Sequence, residues 1–411
     1  MYFLYDVLGL VVILFSPIII LLRIISGKED PKRFMEKFCV YKNITQSKKT
    51  IWIHGASIGE ILSILPIVKK LERNRKITRI LITSSTTSSA NIISKYKFKK
   101  TIHKYFPIDT SFFSIKFINN WKPEVAIFVE SEIWPNMFKN LYLKKIPIIL
   151  LNARITKKSF NNWSNFPNFS KSIFKTISLA MPQNLDTEKY LKILGVKKIK
   201  LIGNLKYFGE EKSKLFNITL KKKFIKKNIW CAASTHQNEE VFIGKVHKKL
   251  KLKIKNLLTI IIPRHINRTD SIINDLKNLN LKIIKHSSFK SIKNDTDIYL
   301  VDTYGESSMF YAFSNVTFLG GSLVRHGGQN PLEPARLGNY IVHGSHIQNF
   351  KEVYTMLRKL NISSKVDSVF NMQKIIFKKI SHKQSKSLNQ NLFSIGKKIL
   401  IKNLFEINKY I

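Results

Sequence analysis

The chain reads as an α/β protein, two doubly wound Rossmann-like domains behind an N-terminal membrane helix. Three observations predict this. Apolar, β-rich runs alternate with helical patterns along most of the length; the rhythm restarts after a lysine-rich stretch at 212–227; and residues 7–22 form an uncharged apolar run. Alternating strands and helices build a parallel sheet covered on both faces. A chain of 411 residues also exceeds what one core usually holds, so two domains are expected.

At the N-terminus, Tyr2 to Leu4 extend the apolar run on the other side of Asp6, bringing it near the ~20 residues a membrane helix needs. A cleaved signal peptide would carry Lys or Arg ahead of the run and a small-residue site behind it. Here Arg23, Lys28, Lys32, Arg33 and Lys37 follow instead. Positive charge on that flank stays in the cytoplasm, so residues 1–27 are expected to be an anchor with the body on the cytoplasmic side. A helix lying in the interface is the alternative, less favoured because the run has no polar face.

The first domain, expected over 28–207, begins with a strand at 50–54, a helix at 58–73, a strand at 78–83 and a helix at 87–96. Strands at 124–129 and 147–151, a helix at 187–194 and a short strand near 198 complete it. The second, over 208–411, restarts with strands at 229–233, 257–262, 282–285, 298–302, 316–320 and 340–342, and ends in a polar tail at 381–391 that suits a linker or exposed helix. Ligands of open α/β sheets lie at the carboxyl ends of the strands, expected here in a central cleft between the domains.

A net charge of +44 draws the surface towards polyanions: nucleic acid, anionic lipid or phosphorylated substrate. The lysines are scattered, and Ile and Asn are abundant beside them, so an AT-rich coding bias accounts for the charge equally well. Nucleic-acid binding has charge alone in its favour, since no RNA-recognition signature is present. Cys39 and Cys231 stand far apart, which favours a reducing compartment over a disulfide framework or zinc site.

Candidate chemistry gathers where strands end. Glu60 follows the first strand and also completes an S-x-x-E capping box with Ser57, so it is a helix cap, a general base, or both. Glu130 and Glu132 straddle the turn after the strand at 124–129; the rival reading is that Glu132 merely favours the positive end of the next helix. Lys206 lies at the domain junction. Pro263 and Arg264, with His265 and Arg268, end another strand, and Arg matches phosphate or carboxylate geometry. Tyr304, Gly305 and Glu306 follow a further strand, where the carboxylate suits ribose hydroxyls or simply starts a helix. Glycines 320, 321, 327 and 328 then lead to Asn330, Pro331, Leu332 and Glu333. There Asn330 is expected to cap a helix with Pro331 in its first position, leaving free N–H groups for a phosphate. Asp295-Thr-Asp297 has D-x-D spacing but precedes a strand, the wrong end of the sheet. No other carboxylate or His cluster has metal-ligand spacing, so catalysis without metal or cofactor is expected. There is no Walker A loop and no G-x-S-x-G elbow.

Together these blocks resemble the Kdo (3-deoxy-D-manno-octulosonic acid) transferases of Gram-negative bacteria. The likeness covers Trp52-Ile-His-Gly-Ala-Ser-Ile-Gly-Glu60, Glu130-Ser-Glu-Ile-Trp-Pro-Asn136, Gly203-Asn-Leu-Lys206, Ala233-Ser-Thr-His236, Pro263-Arg-His265, Gly320-Gly-Ser322 and Gly327 to Ala335, in that order. It implies a GT-B fold, an acceptor-binding first domain, a second domain for CMP-Kdo, and transfer of Kdo to a lipid A precursor (lipid IVA) with inversion. Glu60 matches the family's proton acceptor, and Glu130 and Lys206 match positions that stabilise the transition state. Pro263 and Arg264, Tyr304 to Glu306 and Asn330 to Glu333 match its CMP-binding segments. The resemblance also implies an inner-membrane location among anionic lipids, with no nucleic-acid partner. Gln329, where a His is common, and Phe208, where an acidic residue is frequent, depart from the pattern. A transferase or epimerase of the same fold using another nucleotide sugar is the alternative.

Overall fold

The computed structural model describes residues 1–42, 44, 49–209, 224, 227–288, 292–381 and 386–411. Most of the lysine-rich stretch 212–227 and positions 382–385 of the polar tail lie outside them. The chain forms two compact units, Met1–Phe208 with Ile395–Ile411, and Gly209–Ser394.

The first unit is built on six parallel strands: β1 (Thr50–His54), β2 (Arg79–Ser84), β3 (Thr101–Tyr105), β4 (Pro123–Val129), β5 (Ile148–Ala153) and β6 (Leu179–Pro182), in the order β3-β2-β1-β4-β5-β6. Successive residues of a strand face opposite sides. Trp52, Leu81, Phe128 and Leu150 therefore pack into one core layer, while Ile51, Ile53, Ile82, Ile127 and Ile149 pack into the other. Both faces are covered, which is why the central strands carry mostly apolar sequence. The helices are α1 (Tyr2–Ile25), α2 (Ile58–Leu71), α3 (Thr87–Ser94), α4 (Ser111–Trp121), α5 (Pro135–Leu143), α6 (Lys157–Ser164), α7 (Pro167–Phe174) and α8 (Leu185–Leu194).

Helix α1 is long and apolar enough to cross a membrane, yet it has two distinct sides. Tyr5 donates a hydrogen bond to Asp109 (2.9 Å), and Asp6 accepts from Asn136 Nδ2 (2.8 Å) and Ser111 N (3.3 Å). On the same side Ser16 and Ile20 are buried, and a Cβ on Gly9 would sit 2.9 Å from Thr110 Cγ2, so only glycine admits this approach. Phe3, Leu10, Leu14 and Leu21 project from the opposite side and are exposed.

The second unit carries seven parallel strands: β7 (Asn228–Thr235), β8 (Leu257–Pro263), β9 (Ile283–Lys285), β10 (Ile298–Leu300), β11 (Val316–Leu319), β12 (Tyr340–His343) and β13 (Ser363–Lys365), in the order β13-β12-β11-β7-β8-β10-β9. Around them lie α9 (Glu239–Lys251), α10 (Thr269–Lys277), α11 (Ser307–Phe313), α12 (Leu332–Arg336), α13 (Lys351–Lys359) and α14 (Val369–Lys379). The D-x-D pair sits before β10 as the sequence suggests. Asp297 is buried, where desolvation opposes its charge, but His247 Nε2 (3.1 Å), Lys251 Nζ (2.5 Å) and Lys282 N (2.9 Å) hold its pKa low.

The last helix, α15 (Lys386–Asn408), departs from the linear division of the sequence at 207/208. Its Ile399, Leu400 and Ile407 join the core layer of Ile51 and Ile53, and Glu406 pairs with Lys200 (2.7 Å). The first unit thus takes back the chain's final residues because its second core layer needs their apolar side chains.

Candidate active site

In the first sheet the strand order reverses between β1 and β4, and ligands of open α/β sheets bind at such a switch point. The turns after these two strands carry the carboxylates. Glu60 stands at the third position of α2, where both halves of the capping box form: Ser57 Oγ accepts from Glu60 N (3.3 Å), and Glu60 Oε2 accepts from Ser57 N (3.4 Å) and Ala56 N (2.7 Å). Ser57 also donates its hydroxyl to Glu60 Oε1 at 2.9 Å. The capping reading is therefore realised. Burial nevertheless raises the pKa of Glu60, helped by the charges of Glu132 and Glu130 and opposed by the bonds from Ser57 and Ala56. Such a carboxylate is more basic than an ordinary glutamate.

Glu130 closes β4 in the left-handed region (φ 57°), a conformation that costs a non-glycine residue energy and often marks a functional turn. Its side chain is buried and forms an ion pair with Lys206, Nζ to Oε1 2.6 Å. Lys206 comes from a tight turn in which Asn204 Oδ1 accepts from Lys206 N (2.9 Å) and Asn152 Oδ1 from Leu205 N (3.0 Å). The last helix supports that turn: a Cβ on Gly396 would meet Tyr207 O at 2.6 Å, and one on Gly203 would meet Ile399 Cδ1 at 3.1 Å. Glu60, Glu130 and Lys206 thus belong to one end of one sheet.

Glu132 has a partner that spacing did not reveal. His54, fully buried at the end of β1 and stacked on Phe106 (4.0 Å), places Nε2 3.1 Å from Glu132 Oε2, and Trp134 Nε1 donates to the same oxygen at 3.0 Å. The other ring nitrogen of His54 meets the Thr83 hydroxyl at 2.9 Å. A carboxylate requires Nε2–H to be the donor, which fixes the proton there. The sequence signal was the polar His54 ending an otherwise apolar strand.

In the second unit the strand order reverses between β7 and β11. Here the structure corrects one expectation, that of a helix capped by Asn330 with Pro331 in its first position, and adds a contact that no spacing suggested. The N–H groups of Gly321, Ser322 and Leu323 are not free: the buried carboxylate of Glu239 accepts all three, at 2.8, 3.2 and 3.0 Å, and His236 N as well at 2.9 Å. Gly320 is required by the chain itself, since a Cβ there would lie 2.3 Å from Ser234 O. Helix α12 also begins one residue late and is five residues long, with Pro331 at its cap. Pro331 has no N–H, so the first donor Asn330 Oδ1 reaches is Leu332 N (3.1 Å). So short a helix offers little dipole to an anion.

Pro263 ends β8 buried, while Arg264 stands exposed just after it. Arg268 is committed to a bidentate pair with the buried Glu240 (3.1 Å to each oxygen). Tyr304 is exposed, Gly305 adopts φ 86°, and Glu306 accepts from the Thr303 hydroxyl and lies 3.3 Å from His286 Nε2. Leu332 is buried, and Glu333 lies in the first turn of α12. Behind β11, Arg325, His326, Gly327, His346, Gln348 and Asn349 line a polar pocket of about 510 Å³. Arg325 and His346 were not anticipated, because nothing in their spacing links 325 to 346. Among the described residues no group of three or more His, Cys, Asp or Glu is placed to hold a metal ion.

Residues 32–208 match the family described as 3-Deoxy-D-manno-octulosonic-acid transferase (kdotransferase). The 3-deoxy-D-manno-octulosonic acid transferase of Rickettsia bellii is 35% identical over 332 residues, 80% of this chain and 78% of that protein. This chain belongs to the Kdo transferase family. The Haemophilus influenzae Kdo transferase is 31% identical over 382 residues, 90% of this chain and 88% of its own. This Kdo transferase is accordingly a glycosyltransferase with a role in lipopolysaccharide synthesis. In fold it is similar to the UDP-GlcNAc 2-epimerase of Neisseria meningitidis, with TM-score 0.59 at 13% identity, covering 87% of this chain and 100% of that one. Two parallel sheets wound with helices on this plan make it a GT-B type enzyme.

Proposed function

We propose that this Kdo transferase moves Kdo from CMP-Kdo to a hydroxyl of lipid IVA, with inversion, on the cytoplasmic side of the bacterial inner membrane, α1 being its single anchor. The observation that carries the reading is the group of three carboxylates and one lysine at the switch point of the first sheet. Glu60 accepts the proton of the acceptor hydroxyl; its raised pKa suits a general base. The hydroxyl oxygen bonds to the anomeric carbon as the bond to the phosphate oxygen breaks, and CMP leaves with the electron pair. The sugar centre passes through an oxocarbenium-like state that nearby carboxylate charge favours. Glu130 and Lys206 act as one paired unit holding that charge distribution in place. One displacement inverts the configuration.

On the donor side, Pro263, Arg264, Tyr304, Gly305, Glu306 and Asn330 to Glu333 form the CMP-binding segments. The reading assigns the phosphate to exposed Arg264 rather than to the dipole of α12. The chemistry needs no metal ion, since fixed cations supply the counter-charge. The surface charge matches an acceptor embedded among anionic lipids, with no role for nucleic acid.

Glu60→Gln tests this directly, because glutamine preserves the capping box and removes only the base. Transfer is expected to fall by about 10²–10⁴ while melting temperature and CMP-Kdo affinity hold. Full turnover by this variant would refute the assignment.

A further inference from the structure

A pocket of about 300 Å³ opens between α1 and the carboxyl-terminal rim of the first sheet. Leu8, Gly9 and Val12 form its wall on the helix; Phe106, Ile108 and Trp134 form the opposite wall. Its charged lining is already satisfied from within. Asp109 accepts from the Tyr5 hydroxyl (2.9 Å), Asn136 N (3.1 Å) and Met137 N (2.8 Å), and Lys37 is paired with Glu29 (2.5 Å). What the pocket offers a ligand is therefore mainly apolar surface, beside the Ser85 hydroxyl. One wall, Leu8 and Val12, is itself exposed apolar surface of α1. In the other, the Trp134 indole N–H is bonded to Glu132, the carboxylate whose charge is felt by Glu60.

We infer that this pocket seats an acyl chain of the lipid acceptor, running from the apolar helix to the carboxylates that act on the sugar. A glycolipid has the two ends the geometry demands: hydrocarbon for the helix wall and a hydroxyl for the base. The charges of Lys37 and Asp109 are taken, so the pocket does not suit a phosphate or a free sugar. The inference rests on the lipid-acceptor reading and adds to it a specific place for one chain.

Two measurements on the full-length protein in detergent micelles test it. With a glycolipid acceptor bearing a diazirine on its acyl chain, photolysis should attach label to Phe106, Ile108 or Trp134 as well as to Leu8 and Val12. Label confined to Leu14 and Leu21 on the far side of α1 would overturn the inference. Independently, Val12→Trp, which fills the pocket, should lower the ratio of kcat/KM for the tetraacylated acceptor over an O-deacylated one by about tenfold. Leu14→Trp, equally bulky but outside the pocket, should not change that ratio. An unchanged ratio in Val12→Trp also overturns it. Absence of Kdo in the product of the unaltered protein would instead sink the functional reading, a result read from the product and not from the label.

Discussion

Replacing Lys206 with methionine leaves the Glu130 carboxylate buried with no counter-ion at 2.6 Å. At that distance, with an effective dielectric constant of about 20, the pair attracts by roughly 6 kcal/mol, much of it offset by desolvation. Removing one partner of a buried pair typically costs about 3–5 kcal/mol. Lys206 keeps 28% of its side-chain exposure, against 8% for Glu130, so the lower end applies, about 3 kcal/mol. Oε1 would be left with the amide of Asn152 at 3.5 Å, too long to replace an ammonium. For a unit of this size the loss corresponds to a fall of about 6–12 °C in melting temperature. Four of the five tryptophans belong to the first unit, so intrinsic fluorescence during heating reports mainly on it. The decisive comparison is the double variant Lys206→Met with Glu130→Gln, which removes both charges and should melt above Lys206→Met alone. A double variant that melts lower still, by the sum of the two single losses, would show that the ion pair is not coupled and refute the reasoning.

Glu132→Gln should move the acid limb of the pH–rate profile of kcat/KM to lower pH. Glu132 raises the pKa of Glu60 by like-charge repulsion, while burial and Glu130 remain in the variant and the bonds from Ser57 and Ala56 still oppose them. A limb that stays put, or rises, contradicts the coupling. Gly396→Ala should destabilise the first unit by about 1–3 kcal/mol, because the new methyl meets the backbone oxygen of Tyr207 at 2.6 Å. Displacing the Lys206 turn should also cut kcat by up to about 10²; thermal melting and steady-state kinetics of one preparation check both.

The central strands were legible because burial on both faces leaves them mostly apolar, as in β1, β4 and β8. Three strands escaped notice, and they share a position: β3, β6 and β13 are edges of their sheets. An edge strand needs neither length nor an unbroken apolar face: β3 contains His103 and Lys104, β13 is Ser-Ser-Lys, and β6, though apolar and buried, has only four residues and ends in proline. Glu60, Glu130 and Lys206 could be singled out because they follow strand ends or turn signals, yet their meeting depends on strand order, which spacing does not encode. Glu239 was the least legible. An acidic side chain in the first turn of α9 is favoured there by the helix dipole alone, and only the fold brings it to the N–H groups more than eighty residues onward.

The return of Ile395–Ile411 to the first unit has a consequence for how the protein is made. A nascent chain ordinarily completes its domains in the order they emerge from the ribosome. Here the second unit is contiguous and can finish while the first still awaits Ile399, Leu400 and Ile407 for its core layer and Gly396 for the Lys206 turn. The Glu130–Lys206 ion pair is thereby tied to a glycine 190 residues further along the chain (206 to 396).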